Sequence, residues 1–143
     1  MRRSLYGFSL VGVTGLLCLL FSASASSTAA TTTDEFFSVK EYGEFHHVLH
    51  PLQHEALPAK DFSRIRSNAA EMVKRGTAII RVGVPQGTPQ ARVEEFRKEL
   101  KKFESALGSF SRNAKDGTDT ELETSFSAVH DSFEMLVEML PRK

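Results

Sequence analysis

Apolar residues recur every three or four positions along residues 93–110, and this spacing constrains the fold more than any other feature of the chain. On an α-helix such residues share one face. These apolar positions are Val93, Phe96, Leu100, Phe103, Leu107 and Phe110. The spacing returns after residues 116–117 in Leu122, Phe126, Val129, Phe133, Leu136 and Leu140. Both segments are predicted to be amphipathic helices, and Thr118 and Glu121 have capping-box spacing at the start of the second one.

Two further helices are predicted upstream, on either side of Pro58. The first runs from about Asp34 to Ala56. Pro51 is expected to kink this helix or to begin a separate turn, because proline lacks a backbone donor and crowds the preceding turn. The second helix runs from its N-cap Asp61 to about Arg81. Residues 34–143 are therefore expected to form one helical domain.

Four amphipathic helices with short connections bury their apolar stripes best when each helix packs against two neighbours. The predicted fold is accordingly all-α, an antiparallel up-down-up-down four-helix bundle. The chain has 143 residues, with 18 basic and 18 acidic side chains. This balance leaves no basic excess to neutralise phosphates, and it excludes a nucleic-acid partner and a polybasic membrane contact.

The first 25 residues have the features of a secretory signal peptide. Two arginines precede an apolar run over residues 10–21, and small residues at positions 23–25 suit a cleavage site. The run is shorter than the roughly 20 residues that a membrane helix needs. We therefore expect export to the periplasm or the extracellular space, a flexible mature terminus over residues 26–33, and no membrane association after cleavage.

Five histidines, four of them within nine positions, are the strongest functional signal in the sequence. On a straight helix that turns 100° per residue, His47, His50 and His54 fall within about 60° of one another, whereas His46 points elsewhere. The fifth, His130, is on the fourth helix, which adjoins the first in the predicted bundle. Imidazole is a common ligand of Zn²⁺, Cu²⁺ and Ni²⁺. The spacing predicts a transition-metal site shared by the first and fourth helices.

Glu44 and Glu134 are the carboxylates best placed to complete such a site or to orient an imidazole. Glu44 precedes His47 by three residues, so we expect it among the ligands. His130 and Asp131 are adjacent and diverge by about 100° on a helix, so they are not expected to pair. The predicted function is a sensor, buffer or carrier of a transition-metal ion.

Other functions stay open from the sequence. The histidines could form a solvated polar face. A metal-independent interaction module would use exposed Met135 and Met139, and it would allow a homodimer. An enzyme would require an open coordination site beside a general base such as Glu44 or Glu55.

The residue pattern of 45–54, with those of 57–62 and 128–131, resembles one in uncharacterised exported bacterial helical proteins. Its core is a His-x-x-Leu-His-Pro-Leu-x-His run that ends at His54. This resemblance implies an exported all-helical protein and carries no assigned activity.

In size and helix layout, residues 34–140 also resemble the periplasmic four-helix-bundle cytochromes of the c-prime and soluble b types. This second resemblance implies a non-covalent haem b held between His47 or His54 and His130. The c-prime proteins carry a Cys-x-x-Cys-His attachment motif in the last helix. That motif is missing here, which excludes covalent haem.

Overall fold

The structure, a computed structural model, describes residues 37–142. All regular structure in this range is helical: α1 spans Lys40–Pro51, α2 Phe62–Val82, α3 Val93–Asp116 and α4 Asp119–Glu138. A π-helical turn, Leu52–Ala56, continues α1, and a 3₁₀ turn, Gln90–Arg92, precedes α3. The predicted all-α class with four helices is confirmed. The predicted signal peptide and the flexible segment after it lie outside the described residues.

The first helix differs from its prediction at both ends. It begins at Lys40, because residues 37–39 are not helical, while residues 34–36 lie outside the described range. At the other end, the prediction that Pro51 kinks the helix or begins a separate turn is confirmed, because α1 ends at Pro51 and a π turn begins at Leu52. Proline has no N–H, so the carbonyl of His47 loses its usual helical partner. The chain then widens, and the N–H of Leu57 donates to the carbonyl of Leu52, five residues earlier, at 2.9 Å.

The predicted helix starts of α2 and α4 are confirmed by their caps. The carboxylate of Asp61 accepts a hydrogen bond from the N–H of Arg64 at 2.9 Å. The hydroxyl of Thr118 accepts from the N–H of Glu121, whose side chain accepts in return from the N–H of Thr118. These bonds satisfy backbone donors that the first turn of a helix leaves unpaired.

Each helix buries one apolar stripe in a common core, and charged residues occupy the outward faces. The largest side chains that the core encloses completely are Tyr42, Phe45, Phe96, Phe103, Phe110, Phe126, Phe133, Leu49, Leu52, Ile65, Met72 and Ile79. Three of them, Tyr42, Phe45 and Leu49, belong to α1, and Leu52 belongs to the π turn. The others belong to α2, α3 and α4. Among the helices of residues 37–142, none combines the length and apolar character needed to cross a lipid bilayer.

Arg66 in α2 joins that helix to the turn between α3 and α4. Its guanidinium donates to the carbonyls of Asn113, Ala114 and Gly117 at 2.8, 3.1 and 2.9 Å, and to the carboxylate of Asp119 at 2.9 Å. Three of these acceptors are carbonyls in the last turn of α3 or just beyond it, where a helix leaves several carbonyls without an N–H partner. One side chain therefore satisfies the end of one helix and fixes the start of the next.

Gly76 lets α2 approach α3 closely. A Cβ at this position would lie 2.6 Å from Cδ2 of Leu107 and 3.3 Å from Cζ of Phe103. Both of those side chains are buried, so neither has free space to move into. The glycine in the middle of α2 is therefore required by packing.

We expect Gly76→Ala to lower the free energy of unfolding by about 1–3 kcal/mol, the usual cost of overpacking a core. Gly108→Ala in α3 is the matched control, because a Cβ there meets only Nη1 of Arg112 at 3.7 Å. Alanine favours a helix interior over glycine by roughly 0.5–1 kcal/mol, so the control should be stabilised. Urea unfolding measures both changes. Equal stability of Gly76→Ala and the wild type would contradict the packing described here.

Candidate functional site

Three histidine rings form a ladder along α1 and the π turn that follows it. The ring centroids of His46 and His50 are 5.1 Å apart, and those of His50 and His54 are 4.5 Å apart. We call His46, His50 and His54 the histidine ladder. His50 and His54 are exposed, whereas His46 is half-buried.

The sequence-based assignment of the shared face was wrong for His46, which was expected to point away. Residues four apart are neighbours on an α-helix, so His46 meets His50. An α-helix completes a turn in 3.6 residues, and four residues overshoot it by about 40°. The π turn contains more residues per turn and reduces this overshoot, which leaves His54 beside His50. His47 is exposed, and its ring contacts no ring of the ladder within the described residues.

The spacing of the ladder suits chelation of one ion by two imidazoles. Metal–nitrogen bonds are about 2.0–2.1 Å long, and the nitrogen–metal–nitrogen angle is about 90° in square and about 109° in tetrahedral coordination. Two ligating rings then have centroids roughly 4.5–5.2 Å apart. The separations of 5.1 and 4.5 Å fall within this range. Two histidines four residues apart on a helix are also the pair that binds zinc in the His-Glu-x-x-His motif.

His46 has surroundings unlike those of the other two rings. Its ring lies 5.3 Å from that of Phe37 and stacks on Phe133 at 6.3 Å. Burial lowers the pKa of His46, the nearby His50 lowers it further, and the carboxylate of Glu134 opposes the change. The Nδ1 atom of His46 is buried without a hydrogen-bond partner.

That unpaired nitrogen separates His46 from His50 and His54 as a metal ligand. A ligating histidine normally donates its other ring N–H to an acceptor. Ligation through Nε2 of His46 would leave a buried N–H at Nδ1 with no acceptor, at a cost of about 1–3 kcal/mol. The exposed pair His50 and His54 carries no such cost. The sequence signal that could have found His46 as a neighbour of His50 is their spacing of four residues.

Glu44 lies on the side of α1 that faces α2. One carboxylate oxygen accepts from Nζ of Lys40 at 3.1 Å, and the other accepts from Nη1 of Arg75. Hydrogen bonds from Lys40 and Arg75 hold the pKa of Glu44 below its ordinary value. A role for Glu44 as a metal ligand stays a prediction, and it would require these ion pairs to be replaced.

His130 pairs with Asp131, contrary to expectation. Its Nδ1 lies 3.2 Å from Oδ1 of Asp131. The Cβ directions of adjacent helical residues diverge, but rotation about the side-chain bonds brings the two tips together. His130 also shares one side of α4 with Glu134 and Glu123, within about 40° at 100° per residue. The carboxylate of Glu134 counteracts the lowering of the pKa of His46 in α1, and the carboxylate of Glu123 pairs with Nζ of Lys60 at 2.6 Å. This side of α4 therefore faces α1 and the turn after it.

The structure does not assemble the predicted ligands into one group. Over residues 37–142, no set of three or more His, Cys, Asp or Glu side chains is arranged to hold a metal ion. The predicted set of His47, His50, His54, His130 and Glu44 is therefore divided. His50 and His54 are together, His47 stands apart, Glu44 is bound to α2, and His130 contacts Asp131. The ladder offers pairs of ligands.

A groove of about 560 Å³ lies elsewhere, between α3 and α4. Most of its lining residues are small, and they include Ser109, Ser125 and Ala128. None of the predicted ligands lines it. The groove and the histidine ladder lie on different sides of α4, since Ser125 and Ala128 diverge from His130 around the helix.

The chain was also compared with known proteins. It matches no protein-family model, no curated protein and no solved structure at a significant level. The resemblances to exported bacterial helical proteins and to bundle cytochromes stay predictions.

We expect Glu44→Gln to make thermal unfolding less sensitive to acid. The pKa of Glu44 in the folded protein is below its ordinary value of 4.5. Its ion pairs therefore stabilise the fold above that value, and this stabilisation is lost as the pH falls through the lowered pKa. Glutamine removes this titration, so Tm should fall less between about pH 7 and about pH 3 than in the wild type. Glu104→Gln, at an exposed position in α3, is the control and should leave the acid sensitivity unchanged.

Proposed function

We propose that this protein is an exported, non-catalytic binder of a divalent transition-metal ion, which His50 and His54 chelate. The observation that supports this most strongly is the 4.5 Å separation of their ring centroids. Two imidazoles on one ion need about this separation. Both rings are exposed, so an ion can reach them without any opening of the core.

The ligand chemistry selects a class of ion. Neutral imidazole suits borderline cations, and Zn²⁺, Cu²⁺ and Ni²⁺ are the candidates. Two ligands at a surface leave the remaining coordination positions to water or to another molecule. An ion held in this way exchanges readily, which suits a buffer or a carrier.

His130 is the ligand proposed from the fourth helix, and two features support it. It lies on the side of α4 that carries Glu134 and Glu123 toward α1. In addition, an Nδ1–H bonded to Asp131 would leave the Nε2 lone pair free, which is the usual tautomer of a ligating histidine. Because His130 contacts none of the three ladder rings in the described part of the chain, its contribution is measured directly with a His130→Ala variant.

We also propose that the four helices run alternately up and down. Phe133, near the end of α4, packs against Tyr42 and Phe45, near the start of α1. Glu123, near the start of α4, binds Lys60, beyond the end of α1. These contacts support an antiparallel course for α1 and α4. Short connections support the same course for the other neighbours.

Titration calorimetry with Zn²⁺ and with Ni²⁺ tests the metal site. We expect His50→Ala and His54→Ala each to weaken binding by about tenfold or more, which corresponds to roughly 1.4 kcal/mol. Each substitution removes one of the two ligands of the chelate. Both residues are exposed, so circular dichroism should show unchanged helix content.

His47→Ala is the matched control for this experiment. It removes an exposed histidine from the same helix but leaves the ladder intact. His130→Ala measures the contribution of the fourth helix under the same conditions. A binding isotherm that His54→Ala leaves unchanged would contradict the proposed site.

A further inference from the structure

We propose that a second copy of this chain completes the metal site, so that one ion is held by His50 and His54 of two molecules related by a two-fold axis. This inference rests on the proposed function and adds a partner to it. The ion would then join two protein molecules, and the coordination of each would be incomplete without the other.

The first reason is the number of ligands that one chain provides. A closed zinc site has four protein ligands. Within residues 37–142 no three candidate side chains form a ligand group, so the described part of one molecule offers a pair in His50 and His54. Two such pairs supply four imidazoles, and a two-fold axis through the ion places them equivalently.

The second reason is the position of the pair. His50 and His54 are both exposed and lie on the outer surface of α1 and the π turn, where another molecule can approach. His46, by contrast, is tied to the core through Phe37 and Phe133. The ladder therefore has an inner ring that is fixed in the protein and an outer pair that faces solvent.

A carboxylate beside the ladder opposes association in the absence of the ion. The carboxylate of Glu134 is exposed and close enough to influence His46. In a two-fold arrangement each copy brings the same carboxylate toward the other, and like charges repel. A divalent cation between the two pairs offsets that repulsion. We therefore expect a dimer that forms with the metal and separates without it.

Sedimentation velocity and calorimetry together test this inference on protein purified from cells that express the full chain. We expect a monomer in the presence of a chelator and a dimer at about half an equivalent of Zn²⁺, because four imidazoles share one ion. At a large excess of Zn²⁺ each pair takes its own ion, so the dimer should disappear again. A reducing agent that does not bind metal excludes a disulfide through Cys18, the one cysteine of the chain.

The variants separate this inference from the proposed function. His50→Ala and His54→Ala should remain monomeric at every Zn²⁺ concentration, whereas His47→Ala should still form the dimer. One ion per chain with an unchanged mass would overturn the second-copy site but keep metal binding. If His130→Ala then abolished that binding, the site would be complete within one chain. Assembly that grows beyond the dimer would also overturn the two-fold arrangement, and a wild type that binds no ion would overturn the proposed function itself.

Discussion

The ring of Phe133 packs against Tyr42 and Phe45 of α1 and Phe103 of α3, with centroids 5.9, 4.9 and 6.5 Å away. All four side chains are fully buried. Aromatic pairs at such distances stabilise a fold by roughly 0.5–1.5 kcal/mol each beyond the burial of area. The same ring stacks on His46 at 6.3 Å. If α1 rotated about its axis and moved the histidines, Tyr42 and Phe45 would have to leave the core. Core packing therefore fixes the direction in which the histidine ladder faces.

Pro51 and the π turn after it determine the outer end of the ladder. The proline ends the regular α-helix because it cannot donate, and the five-residue pattern from Leu52 to Leu57 replaces the four-residue one. A continuous α-helix would carry His54 further around the axis from His50. Local departures of this kind are often found at functional sites. Here the departure brings two exposed imidazoles to within 4.5 Å of each other.

Sequence reasoning succeeded where the determining interactions are local. The cap at Asp61 and the capping box of Thr118 depend on residues three positions apart, and the apolar stripes depend on helical periodicity alone. For His46 it passed over the four-residue spacing that makes this ring a neighbour of His50. The contact of His46 with Phe133 could not be predicted in this way, because Phe133 lies far downstream in α4. The pairing of His130 was also missed, because an average direction per residue ignores side-chain rotation. The alternative of an interaction module used both Met135 and Met139 as exposed residues, but of these two only Met135 is exposed, and Met139 is buried in the core.

The buried polar side-chain atoms of the described residues that have no hydrogen-bond partner all lie in the segment that carries the histidine ladder, and this observation does not depend on any metal. Within residues 37–142, the buried side-chain atoms without a hydrogen-bond partner are the hydroxyl of Tyr42, Nδ1 of His46 and Oε1 of Gln53. Burial also raises the pKa of Tyr42 well above its ordinary value. Each unpaired atom costs about 1–3 kcal/mol, and all three belong to α1 and the turn that continues it. The remaining helices satisfy their buried side chains. A sequence that departs from the rules of stability in one segment usually does so for function, and this segment is the one that carries the histidine ladder.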